Sequence, residues 1–298
     1  MARIVLIGEG MLELSRRGED CQLGYGGDTL NTAIHLARHG HDVAYMTALG
    51  CDPLSVELKT KWAAEGLDTA LVLEHPTRST GLYAISNDAT GERSFSYWRE
   101  SSAARALFEL RGISAALSVA ELADLLAFSL ITLAILPQPA REALFALCQR
   151  VRARGGIVAF DGNYRPRLWN SPEEARQTRD AAIAVADIGL PTFEDETLLS
   201  GETDAEAVSR HWSGLGCTET VVKLGADGCQ LPSGAILPPP EVLSPVDTSG
   251  AGDAFNGGYL AARMNGSSAA KAAADGHRLA GWCVMRNGAI PPRDEEYP

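Results

Sequence analysis

The chain has 298 residues, 45% of them hydrophobic, and a formal net charge of −12 at pH 7, which is ample apolar material for a sizeable core. That charge excludes nucleic acid and anionic membrane surfaces as natural partners, so an anionic ligand would have to be met by local arginines. The apolar run at 4–7 is too short for a secretion signal, no later run is long enough to span a bilayer, and the six cysteines show no Cys-x-x-Cys or metal-ligand spacing; they read as the reduced thiols of a cytoplasmic protein.

In chain order, residues 4–7 predict a buried strand, 11–25 an alternating strand-rich stretch, 29–38 a helix, 43–48 a strand and 54–64 a helix. Residues 78–99 hold two alternating, partly aromatic runs, Gly81-Leu82-Tyr83-Ala84-Ile85-Ser86 and Ser94-Phe95-Ser96-Tyr97-Trp98-Arg99. Asn87-Asp88-Ala89-Thr90-Gly91 between them is a good hairpin turn. Strands follow at 129–135, 157–160, 187–190 and 220–224, separated by helices at 139–154, 172–186 and 205–212. An Ala-rich helical region runs from 252 to about 286. Short β-rich runs alternating with helical spacing predict one α/β domain over residues 1–298, a mostly parallel central sheet with helices on both faces. Segments 11–25 and 78–99 interrupt that rhythm as a small antiparallel β-sheet, placed either as a lid over a site or as a dimer surface.

Two stretches carry chemistry. In Asp247-Thr248-Ser249-Gly250-Ala251-Gly252-Asp253 the small residues let a backbone approach an anion, and the helix that follows presents its first-turn N–H groups there. Asp253 repels a phosphate at that place, so its use is to accept a proton from a hydroxyl attacking phosphorus; the plainer alternative is a helix-capping carboxylate. Earlier, Gly24-Tyr25-Gly26-Gly27-Asp28-Thr29-Leu30-Asn31 sets a glycine pair before a helix. The pair serves as a hinge or as a simple turn, and Asp28 or Thr29 serves as a helix cap or as a partner for a hydroxyl-rich ligand.

Together the two stretches resemble the signatures of the ribokinase-like (PfkB) carbohydrate kinases, in order and spacing across essentially the whole chain. Gly8-Glu9-Gly10-Met11-Leu12-Glu13-Leu14-Ser15, Gly91-Glu92-Arg93-Ser94-Phe95-Ser96-Tyr97-Trp98-Arg99, Asp161-Gly162-Asn163-Tyr164-Arg165-Pro166-Arg167-Leu168-Trp169 and the run 129–136 are similar to the subgroup acting on 2-keto-3-deoxygluconate. The resemblance implies a ribokinase-like fold and transfer of the γ-phosphoryl of ATP, with Mg²⁺, to the terminal hydroxyl of a sugar acid. It implies Asp253 as base and the N–H groups of Gly250, Ala251 and Gly252 as an anion hole. Gly27, Asp28 and Asn31 would meet substrate hydroxyls, and Tyr97, Arg99 and Arg165 the acid sugar. Lys223, Gly225, Ala226 and Gly228 would line the nucleotide, with Asn163 and Arg165 facing the phosphates or the substrate.

The acid-sugar reading has a physical rationale, because a guanidinium fork donates parallel hydrogen bonds to a carboxylate. The alternative for Arg99 is an ion pair with Glu100 or Glu92 on a solvated hairpin. A kinase for fructose, ribose or a nucleoside, and a non-catalytic sugar-binding relative, are the competing readings. The chain departs from the family where many members carry Asn-x-x-Glu: here Thr192 and Asp195 stand at those places, so no metal ligand is assigned. A monovalent cation such as K⁺ is a further family cofactor, and the sheet-like lid implies a homo-oligomer, most simply a dimer.

Overall fold

The structure, a computed structural model, describes residues 2–17, 20–87 and 93–298. The tip of the expected hairpin turn, 88–91, and Gly91-Glu92 of the motif lie outside the described residues. Fourteen strands are described: β1 (Arg3–Ile7), β2 (Met11–Arg17), β3 (Asp20–Gly26), β4 (Asp42–Leu49), β5 (Val72–Glu74), β6 (Leu82–Asn87), β7 (Arg93–Trp98), β8 (Leu125–Ser129), β9 (Ile157–Asp161), β10 (Ile188–Gly189), β11 (Glu219–Thr220), β12 (Val222–Lys223), β13 (Cys229–Gln230) and β14 (Ile236–Leu237). The α-helices are α1 (Asp28–Arg38), α2 (Pro53–Ala64), α3 (Ile113–Ala120), α4 (Leu130–Ile135), α5 (Gln138–Ala153), α6 (Pro172–Ile183), α7 (Phe193–Ser200), α8 (Ala205–Gly214), α9 (Ala251–Met264) and α10 (Ala269–Val284).

Seven strands form the central sheet in the order β11-β10-β9-β8-β1-β4-β5, and every neighbouring pair in it is parallel. A parallel strand is covered on both faces and therefore reads as a continuous apolar run. β1 shows why: Val5 and Ile7 enter one hydrophobic cluster, Ile4 and Leu6 the other. The first cluster gathers residues of α3 to α8, the second those of α1, α2, α9 and α10. Each such fully buried aliphatic side chain contributes roughly 1.5–3 kcal/mol relative to exposure. From β1 the chain builds outward to β4 and β5 on one side, then through β8 to β11 on the other. The strand order thus reverses between β1 and β8, and the carboxyl ends at such a reversal form the usual ligand crevice of an α/β sheet.

The lid is a four-stranded sheet ordered β3-β2-β6-β7. Its two hairpins are antiparallel, as the alternation predicts, while β2 and β6 between them run parallel. A second small sheet, β12-β13-β14, was not anticipated. It divides the expected strand at 220–224: β11 closes the central sheet, and β12 pairs with β13 instead.

The expected strand at 129–135 is corrected. The strand is β8, and it ends at Ser129, whose hydroxyl accepts Thr132 N–H at 3.1 Å while Thr132 Oγ1 accepts Ser129 N–H at 3.3 Å. This reciprocal cap starts α4 at the next residue. A short apolar run buried on every side has no periodicity to separate helix from strand. The helical region from 252 to 286 is two helices, broken where Asn265-Gly266 closes α9 and Ser268 caps α10.

Candidate active site

Asp253 stands in the first turn of α9, behind Gly250, which is the N-cap in the left-handed region at φ 70°. A Cβ on Gly250 would also come within 2.8 Å of Ala289 Cα, so glycine is required by both backbone and packing. No side chain caps this helix. Its first-turn N–H groups, those of Ala251 and Gly252 among them, are therefore directed at whatever occupies the cleft. Ala251 N–H also contacts Thr248 O at 3.3 Å.

Across the cleft, α1 begins directly after Gly27, where the backbone is at φ 154° and a Cβ would overlap the Glu9 carbonyl oxygen. The glycine pair is thus a close backbone approach. Asn31, one turn into α1, donates from Nδ2 to Asp253 Oδ2 at 2.7 Å, and Thr32 Oγ1 donates to the Asp253 carbonyl at 3.2 Å. Asn31, expected to touch substrate, also orients the carboxylate. Asp28 accepts from Asn163 Nδ2 at 3.2 Å.

Burial raises the Asp253 carboxyl to about 8, helped by the nearby charges of Asp28 and Asp161 and opposed by the Asn31 hydrogen bond and by Lys223. A helix N-terminus favours the ionised form, but here desolvation and two like charges outweigh the dipole. Asp28 is also raised, first by burial, with a Ser129 hydrogen bond and the charge of Arg99 working the other way.

Lys223 is buried, its ammonium held by Asp161 Oδ1 at 3.0 Å and Asn256 Oδ1 at 3.1 Å. Asn256 closes the ring by donating to Asp161 Oδ2 at 3.0 Å. A Cβ on Gly252 would lie 3.7 Å from Lys223 Nζ, so this cation sits beneath the first turn of α9 and not on the exposed loop after it. Gly225 and Ala226 are on that exposed loop, and Gly228 closes it in a positive-φ conformation against Leu237.

Arg99 is 6% exposed, and its guanidinium grips Glu9 through Nε (2.8 Å) and Nη2. Of the two glutamates expected as its partner, Glu92 lies outside the described residues and Glu100 meets only its backbone N–H, at 3.2 Å. Arg165 is half exposed, donates from Nη1 to Tyr164 O at 2.6 Å and lies 3.4 Å from Asp195. Asp28 links Arg99, whose charge it feels, to Asn163, which it binds, while the Arg165 guanidinium is held by Tyr164 O and Asp195, with no contact to Arg99 or Asp28 among the described residues. Asp195, raised by burial, accepts Tyr164 N–H at 3.3 Å and also senses Asp161 and Lys223. Among the described residues no group of three His, Cys, Asp or Glu side chains is placed to hold a metal ion.

Tyr97 is on the cleft-facing row of the lid, where the register runs Gly24, Glu13, Tyr83, Tyr97 across the four strands. Tyr83, which the sequence reading left out, hydrogen-bonds Glu13 and packs tilted against Tyr97, ring centroids 6.0 Å apart. Its hydroxyl is pushed well up, first by burial and then by Glu13, with the charge of Asp253 also felt. Asp161, at the carboxyl end of β9, and Glu9, after β1, likewise join the site without having been expected there. The signal for all three was position: strand ends at a sheet reversal, and a tyrosine opposite Tyr97 in a hairpin.

The family model for pfkB carbohydrate kinases matches residues 1–296. The chain belongs to this family. It is 43% identical to the 2-dehydro-3-deoxygluconokinase of Dickeya dadantii (strain 3937), covering 97% of this chain and 96% of that one. The enzyme of the same name from Escherichia coli (strain K12) is also 43% identical, over 98% of each chain. Among solved structures, a PfkB protein from Polaromonas sp. JS666 superposes with a TM-score of 0.82 at 29% identity, covering 94% of this chain and 95% of that one. Fructokinase from Vibrio cholerae O395 with fructose, ADP and calcium ion bound gives 0.82 at 26% identity, over 97% and 95%. The ribokinase-like fold and the carbohydrate-kinase class read from the motifs hold in this family.

Proposed function

We propose that the chain is an ATP-dependent 2-keto-3-deoxygluconate kinase, forming 2-keto-3-deoxy-6-phosphogluconate. The carrying observation is Asp253, oriented by Asn31 at 2.7 Å at an uncapped helix start, in a chain 43% identical to two 2-dehydro-3-deoxygluconokinases over nearly its full length. Asp253 takes the proton of the terminal hydroxyl as that oxygen attacks the γ-phosphorus. The N–H groups of Gly250, Ala251 and Gly252 and the buried Lys223 ammonium offset the charge on the transferring phosphoryl. Gly27, Asp28 and Asn31 hold hydroxyls; Tyr97, Arg99 and Arg165 hold the acid end, and Asn163 positions Asp28. ATP lies along Gly225, Ala226 and Gly228, while the lid closes and excludes water.

Mg²⁺ neutralises the nucleotide's phosphates when bound. With no three-ligand cluster among the described residues, it would be held chiefly by phosphate oxygens and water, with Asp195 the carboxylate at hand. The carbonyls of Ser249, Gly288 and Ala289, each within 3.5–3.9 Å of the Cys283 sulfur, are the oxygens that would hold a monovalent cation such as K⁺. Neutral oxygens suit that ion. A Vibrio cholerae fructokinase double-mutant structure is described as potassium ion bound.

The exposed Trp98 on the edge strand β7, on the face opposite Tyr97, supports self-association through the lid, most simply a dimer. We read the whole as one cytoplasmic catalytic unit; among the described residues no helix is long and apolar enough to cross a membrane.

One observation favours a second reading, a kinase for a neutral sugar: Arg99 is already neutralised by Glu9. ADP release measured over a panel of 2-keto-3-deoxygluconate, its galacto epimer, fructose, ribose and adenosine decides between them. Preference for fructose or ribose over both acids overturns the proposal, and no ADP with any sugar favours a non-catalytic binder.

A further inference from the structure

The chain crosses between core and lid four times, and one residue touches the other three crossings. It leaves β1 through Glu9-Gly10, returns from β3 through Gly26-Gly27, leaves again at Gly81 before β6 and returns at Arg99 after β7. The Glu9 carbonyl oxygen occupies the space a Cβ on Gly27 would need, and Glu9 Oε1 lies where a Cβ on Gly81 would come within 2.7 Å. Glu9 Oε2 accepts both bonds from Arg99. Glu9 is 2% exposed, and its Oε1 is buried without a hydrogen-bond partner. Arg99 uses Nε and Nη2 on Glu9, leaving Nη1 without a partner among the described residues.

We infer that Glu9 is a positioning residue that sets selectivity between acid and neutral sugars: it latches the lid hinge through Arg99 and competes with the substrate's carboxylate for that guanidinium. The inference rests on the sugar-acid reading above. A sugar hydroxyl cannot displace a carboxylate from a buried guanidinium, whereas an anion can share it through the remaining N–H groups. Once the anion is bound, Arg99 stands between two carboxylates whose repulsion opposes binding. Drawing Arg99 toward the cleft also loosens the contact on which the Gly27 and Gly81 crossings rest, so release of the hinge follows arrival of an acid.

Glu9→Gln keeps the shape and removes the charge. Wild type and variant are titrated calorimetrically with 2-keto-3-deoxygluconate and with fructose, and backbone amide exchange in 82–87 and 93–98 is followed without sugar. The variant is expected to bind the acid about tenfold more tightly, to leave fructose affinity within about twofold, and to exchange faster in the lid. A purely structural Glu9 weakens both sugars alike, and equal or weaker acid binding in the variant overturns the competition. If wild type binds the acid no better than fructose, the sugar-acid reading fails instead; the latch is then judged on exchange alone and is overturned by a lid no faster than wild type. Should Glu9→Gln not fold, Glu9→Gln/Arg99→Gln removes both charges, and a retained preference for the acid refutes the inference.

Discussion

Asn31 Nδ2 meets Asp253 Oδ2 at 2.7 Å although the two residues are 222 positions apart. The bond joins the early glycine-pair motif to the late phosphate-loop motif, because Asn31 is fixed in α1 by its own N–H to Gly27 O at 2.7 Å. It does two things at once. It fixes one carboxylate oxygen of Asp253 and so aims the other, and it favours the ionised form against burial. Asn31→Ala is expected to lower kcat by about 10- to 100-fold, the scale of a misplaced reacting group. It also moves the rise of kcat/KM with pH to higher pH, since a support of the charged form is gone. A pH profile unchanged in midpoint would remove Asn31 from the base.

Asp253 itself gives a signed test. A base must be deprotonated, so kcat/KM of the free enzyme rises as pH passes through about 8. Stability moves the other way. The folded carboxyl holds its proton up to about 8 against an ordinary value of 3.8. Below the lower value both states are protonated and nothing is contributed; between the two the unfolded chain loses its proton first, and the cost to the fold is complete above about 8. Asp253→Asn removes that cost. The variant is expected to lose roughly 10²–10⁴ in turnover, to bind ATP still, and to melt higher than wild type at pH 8 but not at pH 4. Each kcal/mol recovered reads as roughly 2–4 °C.

Much of this was legible in the residues, for reasons that differ by element. β1, β4 and β9 were readable because strands covered on both faces are unbroken apolar runs, and α1, α5 and α6 because one helical face is apolar. At Asp253 and Gly27 the residues left two roles each, and it took the structure to show a helix start without a side-chain cap and a close approach of Gly27 to the Glu9 carbonyl. α4 was not readable, since Leu130 to Ile135 is buried on all sides and only the Ser129–Thr132 cap makes it a helix. Nor was the pairing of Arg99: Glu100 is adjacent in sequence, but Glu9 is brought to it by the convergence of lid crossings 90 residues apart. The burial that raises Asp253 is likewise a sum over α1, β9 and α9, and no local pattern carries it.

Arg99→Met is expected to weaken 2-keto-3-deoxygluconate far more than fructose or ribose, by tens-fold or more, since hydrogen bonds to a charged group contribute roughly 1.5–3 kcal/mol each. The single variant also strands Glu9 in a buried site, and breaking such a pair costs about 3–5 kcal/mol of stability. Thermal unfolding therefore accompanies the substrate titrations. Adding Glu9→Gln should restore much of the melting temperature without restoring the acid. Equal losses for acid and neutral sugars would remove Arg99 from acid recognition.

The two special glycines separate the two halves of the reaction. At Gly27 the backbone is at φ 154° and a Cβ would overlap the Glu9 carbonyl, a backbone atom that cannot step aside cheaply. Gly27→Ala must push α1 away from the first lid crossing, which moves Asp28 and Asn31 together. A loss of about 1–3 kcal/mol in stability is expected, with a raised KM for sugar and a nearly unchanged affinity for ATP. At Gly250 the obstacle is Ala289 behind the anion hole, with a positive φ added. Gly250→Ala turns the first N–H groups of α9 off the phosphate, so it lowers kcat and weakens ATP while sugar binding in its absence is kept. Separate calorimetric titrations of sugar and nucleotide read the two cases apart. If both substitutions damage the same ligand, the division of the cleft into a sugar side at α1 and a phosphate side at α9 is wrong.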